Sequence, residues 1–308
     1  MKVSTAIIGL GKIGLTYDLD PEGKKISNQV KTHCRAVSLS KNFKVSLLSD
    51  VNPASIHLAT KLYGGQGFQN LTEGVEKTRP KLIIVAVPTN EHLNTIRKIS
   101  HIWAPDAYLI EKPFGTSAFE AEIMYEILQQ QGSKVFVNYL RRYLPNVLNL
   151  KTSNLFKERG DLRSVKISGY GTLENIFSHF FDLLIFLEGT HILGLSKKTE
   201  KLYINGKYEF REPSNGINFE FIGVNGNPRE CVMSLDYELM KVNILSSGKV
   251  ITISDHKDTV LSSFELEDSL FNSYQSFVLD RIALEIVQTN SNNCISDAIH
   301  IHKFIESI

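Results

Sequence analysis

The chain predicts a doubly wound α/β domain followed by an α+β domain with a large, mostly antiparallel open sheet, and three observations carry that prediction. Short apolar runs rich in β-branched residues alternate with helical segments from Lys2 to Val137. After about residue 150, strand-like stretches instead follow one another directly, with Asn-Gly, Ser-Gly and Pro turns between them. A glycine-rich turn, GLGKIG, joins the first apolar run to the first helix. Alternation of strands and helices needs a parallel sheet covered on both faces, whereas strands joined by tight turns pair antiparallel.

VSTAIIG is the first strand. In the turn after it, Gly9 permits the tight bend, Gly11 lets the backbone approach a pyrophosphate and Gly14 allows close packing, while Lys12 and Ile13 complete the loop. The helix N-terminus behind it faces the phosphates, so a dinucleotide is the expected cofactor. The polar stretch from Tyr17 to Lys31 reads as an insertion after the first helical turn, with THCRAVSL as the rest of the helix. FKVSLLS then ends in Asp50, where an acid bonds ribose hydroxyls, later than the usual ~20 residues because of that insertion. A carboxylate there repels a 2′-phosphate and favours NAD, with NADP left open. In the alternative reading Asp50 caps the helix NPASIHLATKLY.

KLIIVAV ends in VAVPTNEHL, and ligands bind outside the carboxyl ends of such strands. Pro88, Thr89, Asn90 and His92 are therefore expected to line the crevice, ahead of the helix NEHLNTIRKI. YLIE is the next strand and leads into EKPFG, with Glu111 and Lys112 at the rim. Close to a cofactor, with desolvation or a neighbouring cation lowering its pKa, Lys112 becomes a usable general acid/base, and Pro113 sets its direction. A plain Glu111–Lys112 surface pair is the weaker reading, because adjacent strand residues point to opposite faces. After the helix TSAFEAEIMYEILQQQ, the strand KVFV ends in Asn138, and Arg141, Arg142 and Tyr143 follow. Arg141 is a candidate for binding a substrate carboxylate or phosphate, with salt bridges between domains as the alternative.

In the second half SVKISGYG, KLYINGKYEF, GINFEFIGV, ECVMSLDYE and VNILSSGKVITI read as strands. Helices are expected at roughly Asn175 to Leu187, Leu270 to Thr289 and Ser296 to Ile308. On the first of these, Asn175, Ser178, His179 and Asp182 share one face of an otherwise apolar helix, so the stripe must face a cleft or find partners. His300 and His302 diverge on their helix, and no H-E-x-x-H, G-x-S-x-G or Walker A pattern occurs, so no metal site is expected.

At 308 residues, 42% of them hydrophobic, the chain suits two domains better than one, with the division expected at 1–142 and 143–308. The closing helices are free to pack back onto the first domain. With 34 basic against 33 acidic residues and no run of like charge, neither nucleic acid nor a membrane surface is an expected partner, which leaves small molecules. Cys34, Cys231 and Cys294 lie far apart and form no CxxC pair, so no disulfide framework is expected and a reducing compartment fits. Glycines interrupt the apolar N-terminus, and no segment approaches the ~20 apolar residues of a membrane span, so a soluble cytoplasmic protein is expected.

Together these motifs resemble the glucose-fructose oxidoreductase/inositol dehydrogenase/MocA (Gfo/Idh/MocA) group of nicotinamide-dependent sugar oxidoreductases. GLGKIG, SDVNP, VAVPTNEH, EKPFG, VNYLRRYLP and NIFSHFFDLL occur in the family's order, and DAIHIHKFIESI looks like its closing helix, so the resemblance runs over nearly the whole chain. It implies an N-terminal Rossmann domain and a C-terminal α+β domain whose open sheet makes subunit contacts, hence a homodimer or homotetramer. It also implies catalysis by the EKP lysine, matched here by Lys112, with the histidine of a DxxxH signature. His179 matches that histidine, but Asn175 stands where the family has aspartate. Asn138 matches the residue at the cofactor–substrate junction, and Glu111 joins the cofactor-binding set. The activity implied is hydride transfer between NAD(P) and a sugar, polyol or sugar nucleotide, with Lys112, His179, Asn175 and Arg141 toward the substrate. A catalytically silent dinucleotide-binding regulator of the same fold is the alternative, and Asn175 is the feature in its favour.

Overall fold

The computed structural model describes residues 2–169, 174, 177–193, 200–204, 207–214, 217–223, 231–287 and 295–307. The chain divides into two compact units, Met1–Asn138 with Asn272–Ile299, and Tyr139–Phe271 with His300–Ile308.

The first unit is built on β1 (Val3–Ile8), α1 (His33–Leu39), β2 (Phe43–Ser49), α2 (Pro53–Tyr63), β3 (Gln66–Phe68) and α3 (Leu71–Thr78). It continues through β4 (Leu82–Val85), α4 (His92–Ser100), β5 (Ala107–Ile110), α5 (Ala118–Gln131) and β6 (Lys134–Val137). Its six strands lie in the order β3-β2-β1-β4-β5-β6, all parallel, which is the Rossmann arrangement. The whole of β4 and β5 is buried, as strands covered on both faces must be. The short edge strand β3 and the helix α3 are additions to the pattern visible in the sequence. Asn70 caps α3: its side chain accepts from Thr72 N and Glu73 N.

Register decides what meets at the carboxyl end of this sheet. Ile8 pairs with Ser49 and Val85, Val85 with Ile110, and Ile110 with Val137. The strands therefore stop in one row, and the residues that follow them, Gly9, Asp50, Ala86, Glu111 and Asn138, share one rim.

The insertion is spliced into the first helix. Leu15 N and Tyr17 N close one helical turn onto Gly11 O and Lys12 O, and the chain then leaves. It returns at α1, where His33 N donates to Ile13 O and Cys34 N to Gly14 O, both at 3.0 Å, so the hydrogen-bond ladder resumes across the excursion. Buried Asp18 closes the loop by accepting from Lys31 N, Thr32 N and Thr32 Oγ1, while Thr32 itself caps α1.

Beyond the second unit the chain supplies one more helix to the first, α10 (Tyr274–Val287), after the short α9 (Asp268–Phe271). At its start Val30 N donates to Asn272 O and Gln275 N to Val30 O. At its end Lys134 Nζ donates to Glu285 O and Ile286 O, at 2.8 and 2.9 Å, where the helix has orphan carbonyls and a partial negative charge.

The second unit holds α6 (Pro145–Thr152), α7 (Asn154–Lys157), β7 (Leu162–Gly169), α8 (Ser178–Glu188), β8 (Glu200–Ile204), β9 (Lys207–Ser214) and β10 (Ile217–Gly223). β11 (Val232–Tyr237), β12 (Lys241–Leu245), β13 (Val250–Ser254) and β14 (Val260–Glu265) complete it, and α11 (Ile295–Ser307) ends the described chain. Its eight strands run in the order β14-β13-β12-β11-β7-β10-β9-β8, antiparallel except for the β7–β10 pair. Alternation holds along the central strands: Met233, Leu235, Val242, Ile244, Ile251 and Ile253 are buried, and their neighbours Ser234, Asn243 and Thr252 are half-buried. One face is core and the other is half-buried, with Val232, Leu245 and Val250 among its polar residues. Among the described residues no helix is long and apolar enough to cross a membrane.

Candidate functional site

The glycines of the first loop have separable jobs. Gly9 has φ +95°, and a Cβ there would sit 2.5 Å from the Ala86 carbonyl carbon, so the close crossing of the β1 and β4 exits requires glycine. A Cβ on Gly14 would lie 2.1 Å from Gly9 O, which shuts the turn to any side chain. Gly11 is different, for a Cβ there would meet nothing within 4 Å. Its backbone faces open space at the start of a helical turn, the surrounding a pyrophosphate needs, so the loop fits a dinucleotide. Lys12 is exposed and Ile13 half-buried beside it.

Asp50 reaches this loop directly. Its Oδ2 accepts from Leu10 N at 2.6 Å and its Oδ1 from Asn52 N at 2.8 Å. The cap of α2 is Asn52, whose side chain accepts from Ala54 N, so capping is not the task of Asp50. Its carboxylate stands between the glycine loop and the exit of β2.

After β4, exposed Pro88 leads into a short 3-10 turn at the rim, Thr89–Glu91, in which Thr89 is half-buried and Asn90 exposed. His92 is placed otherwise than expected. Its ring is fully buried, with Nδ1 3.0 Å from Phe114 O and Nε2 3.1 Å from Val87 O. It therefore does not line the crevice. It ties the β4 exit to the loop that begins at Glu111, and the period of α4 explains why: His92, Thr95, Ile96 and Ile99 all fall on the buried face.

Glu111 is the most constrained carboxylate of the rim. His33 Nε2 lies 2.7 Å from its Oε1, and Asn138 Nδ2 donates to the same oxygen at 2.6 Å. Its side chain is 12% exposed, while that of His33 is wholly buried. Burial alone would push the Glu111 carboxyl up. The hydrogen bond and charge of His33, the amide of Asn138 and the charge of Lys112 outweigh burial and hold it below the usual carboxylate range. Lys112 follows, half-buried, with a cis peptide to Pro113 and then buried Phe114. His33 had no signal in the sequence beyond its place in THCRAVSL, because its partner is 78 positions away.

The remaining candidates belong to the second unit. Arg141 is buried, donates from Nε to Ser247 O at 2.9 Å and lies 4.8 Å over the Phe180 ring, so its planar cation is occupied in holding the β12–β13 turn. The polar stripe of α8 is largely satisfied from within. Arg142 grips Asp182 with Nε at 2.9 Å from Oδ2 and its terminal nitrogen on Oδ1. Ser178 Oγ donates to Glu174 O at 2.7 Å. His179 is 6% exposed and meets Tyr139 edge-to-face, ring centroids 5.8 Å apart. Asn175 lies outside the described residues. Among the described residues no cluster of His, Cys, Asp and Glu could hold a metal ion.

Residues 3–139 match the profile of an oxidoreductase family with an NAD-binding Rossmann fold, Gfo/Idh/MocA. Glucose-6-phosphate 3-dehydrogenase of Bacillus subtilis is 29% identical over 141 residues, 44% of this chain and 38% of that protein. The rhizopine catabolism protein MocA of Rhizobium meliloti is 24% identical over 191 residues, 57% of this chain and 59% of its own. The matched stretches thus span less than two thirds of either relative. Among solved structures, a 3-ketoreductase from Actinomadura kijaniata in complex with NADP superposes with a TM-score of 0.74 at 12% identity, covering 100% of this chain and 97% of that one. The transcriptional regulator Gal80p of Kluyveromyces lactis has a TM-score of 0.74 at 17% identity, with 100% and 89% covered. At such identities what is shared is the fold.

Proposed function

We propose that the protein transfers a hydride between a nicotinamide dinucleotide and a hydroxyl or carbonyl carbon of a sugar, polyol or sugar nucleotide, a reading supported by the match of residues 3–139 to the profile of the Gfo/Idh/MocA oxidoreductases with their NAD-binding Rossmann fold. The observation behind this is the shared rim, where an open Gly11 backbone, the Asp50 carboxylate and the Glu111–Lys112 pair stand at the ends of strands in register. The names of the sugar dehydrogenase and the 3-ketoreductase similar to this chain support the substrate class.

Bound nicotinamide supplies the hydride acceptor or donor. The backbone of Gly9, Gly11 and Gly14, with Lys12, Ile13, Pro88, Thr89 and Asn90 around it, would hold the dinucleotide, and Asp50 its ribose. A carboxylate in that place favours NAD over NADP. Lys112 takes the proton of the reacting hydroxyl during oxidation and returns it in reduction. His179 of the second unit is its proposed assistant. Lacking an aspartate at position 175, it has no countercharge from that residue to favour an imidazolium, and the larger share of the work falls to Lys112. A second copy of the chain against the half-buried face of Ser164, Ser234, Asn243 and Thr252 would give a homodimer or homotetramer in the cytoplasm.

A silent dinucleotide-binding regulator is the second reading, favoured by Asn175 in the sequence and by the fold shared with Gal80p. The two separate on one experiment: purified protein loaded with NAD or NADH is offered a panel of sugars, sugar phosphates and sugar nucleotides while absorbance of the reduced cofactor is followed. Turnover supports the enzyme. Cofactor binding without turnover of any member supports the regulator.

A further inference from the structure

We propose that His33 is a positioning residue for Lys112: by fixing the Glu111 carboxylate from the first turn of α1, it sets the proton affinity of the neighbouring lysine amine. This rests on the reading of Lys112 as the proton-transfer group.

Two separately anchored elements converge on one oxygen of Glu111. His33 opens α1, and its backbone N–H is tied to Ile13 O, so the ring is carried by a helix continuous with the glycine loop. Asn138 follows β6, with its own N–H on Ile110 O. Both side chains meet Glu111 Oε1, at 2.7 and 2.6 Å. Nδ1 of His33 is buried with no hydrogen-bond partner among the described residues, so the ring makes a single bond and directs it to Glu111. To donate that bond the ring carries a proton on Nε2.

Lys112 follows Glu111 directly in the chain, a nearby carboxylate stabilises the charged form of an amine, and the coupling is mutual: the charge of Lys112 acts on Glu111 as that of Glu111 acts on Lys112. The groups acting on Glu111 are His33 from α1, Asn138 from the end of β6 and Lys112 from its own loop. How long the lysine keeps its proton thus depends on where Glu111 is held. The link also joins the dinucleotide loop to the acid/base, since the start of α1 is hydrogen-bonded to Ile13 O and Gly14 O.

A purely structural role, in which His33 only satisfies a buried acid, predicts lost stability and no change at Lys112. The test therefore reads Lys112 itself, in the full chain without cofactor: the rate of acetylation of its amine by acetic anhydride as a function of pH, resolved by peptide mass spectrometry. Glu111→Gln should lower the titration midpoint by roughly one unit, the low end of the usual effect of a close opposite charge. His33→Ala should move it the same way by less, and His33→Gln, whose amide can occupy the place of Nε2, should restore it. If His33→Ala fails to fold, His33→Asn, polar but too short to reach Glu111, takes its place. A midpoint in His33→Ala, or in the His33→Asn that replaces it, that coincides with the wild type overturns the proposal. Wild-type turnover by Lys112→Ala would instead sink the catalytic reading and leave this titration standing.

Discussion

Glu111 and Asp182 are both acids taken largely out of water, and they are handled in opposite ways. Asp182, on α8, is fully buried and gripped by two nitrogens of Arg142, a cation that does not lose its charge at any ordinary pH. Its charge is answered on the spot. Glu111 is answered by an imidazole and an amide, partners carrying less charge, and it keeps a lysine as its chain neighbour. The difference separates a carboxylate that holds a unit together from one whose field is left to act on something else. Burial alone does not mark a functional acid; the nature of its partners does.

The largest effect expected from this contrast is at Lys112. Lys112→Ala should lower turnover by roughly 10² to 10⁴-fold while cofactor affinity stays near wild type, as for loss of a positioned proton-transfer group. Steady-state kinetics on any substrate from the panel, with NADH binding followed by fluorescence, would decide it. On the structural side Arg142→Ala leaves Asp182 buried without its cation and should cost about 3–5 kcal/mol. Urea unfolding reads that directly, and a loss below 1 kcal/mol would mean that Asp182 is not held as described.

The glycine loop allows a sharper division within one motif. Gly9→Ala drives a methyl group into the Ala86 backbone at a positive φ, and should destabilise the fold by a few kcal/mol. Gly11→Ala meets no protein atom, so it should fold like the wild type and bind dinucleotide more weakly, because the methyl group occupies the space a pyrophosphate needs. Thermal melts and NADH titration of the pair test both halves. A Gly11→Ala protein that binds normally would remove the loop from the cofactor site. A smaller swing is expected at Asp50: Asp50→Ser should shift the NAD-to-NADP affinity ratio toward NADP by about tenfold, or about 1.4 kcal/mol. Equal changes for both cofactors would leave Asp50 with the Leu10 amide alone.

Strand ends were legible in the sequence, and side-chain partners were not. GLGKIG, Asp50, EKPFG and Asn138 reach one rim because parallel strands in register must end together, a consequence of backbone geometry that needs no knowledge of side chains. The splice of THCRAVSL onto the glycine turn was readable for a similar reason, since only the polar excess between Tyr17 and Lys31 breaks the helical pattern. The His33–Glu111 contact joins residues 78 apart and leaves no local pattern. The stripe on α8 shows the same limit: periodicity placed Ser178, His179 and Asp182 on one face but could not say that Arg142 answers it. His92 went the same way, because a polar residue next to a rim reads as crevice-lining until two backbone carbonyls are found on its ring.

The smallest expected effect sharpens the comparison most, because it reads Glu111 without any substrate. A carboxyl whose pKa is lower in the folded chain than in the unfolded one contributes stability that is fully present above the unfolded value, ~4.3 for glutamate, and is lost as pH falls through the folded value. Glu111 is such a group, since His33, Asn138 and Lys112 together outweigh its burial. Wild-type stability should therefore decline as pH falls below about 4.3, in part through this residue. Glu111→Gln removes the titration and should flatten that part of the decline, at the cost of a lower plateau at neutral pH, where the neutral amide is a weaker acceptor for His33 and Asn138 than a carboxylate. Urea midpoints collected from pH 3 to 6 for both proteins provide the measurement. If the two pH profiles run parallel, Glu111 is not held as an ion in the folded protein, and the charge assigned to its place beside Lys112 is lost with it.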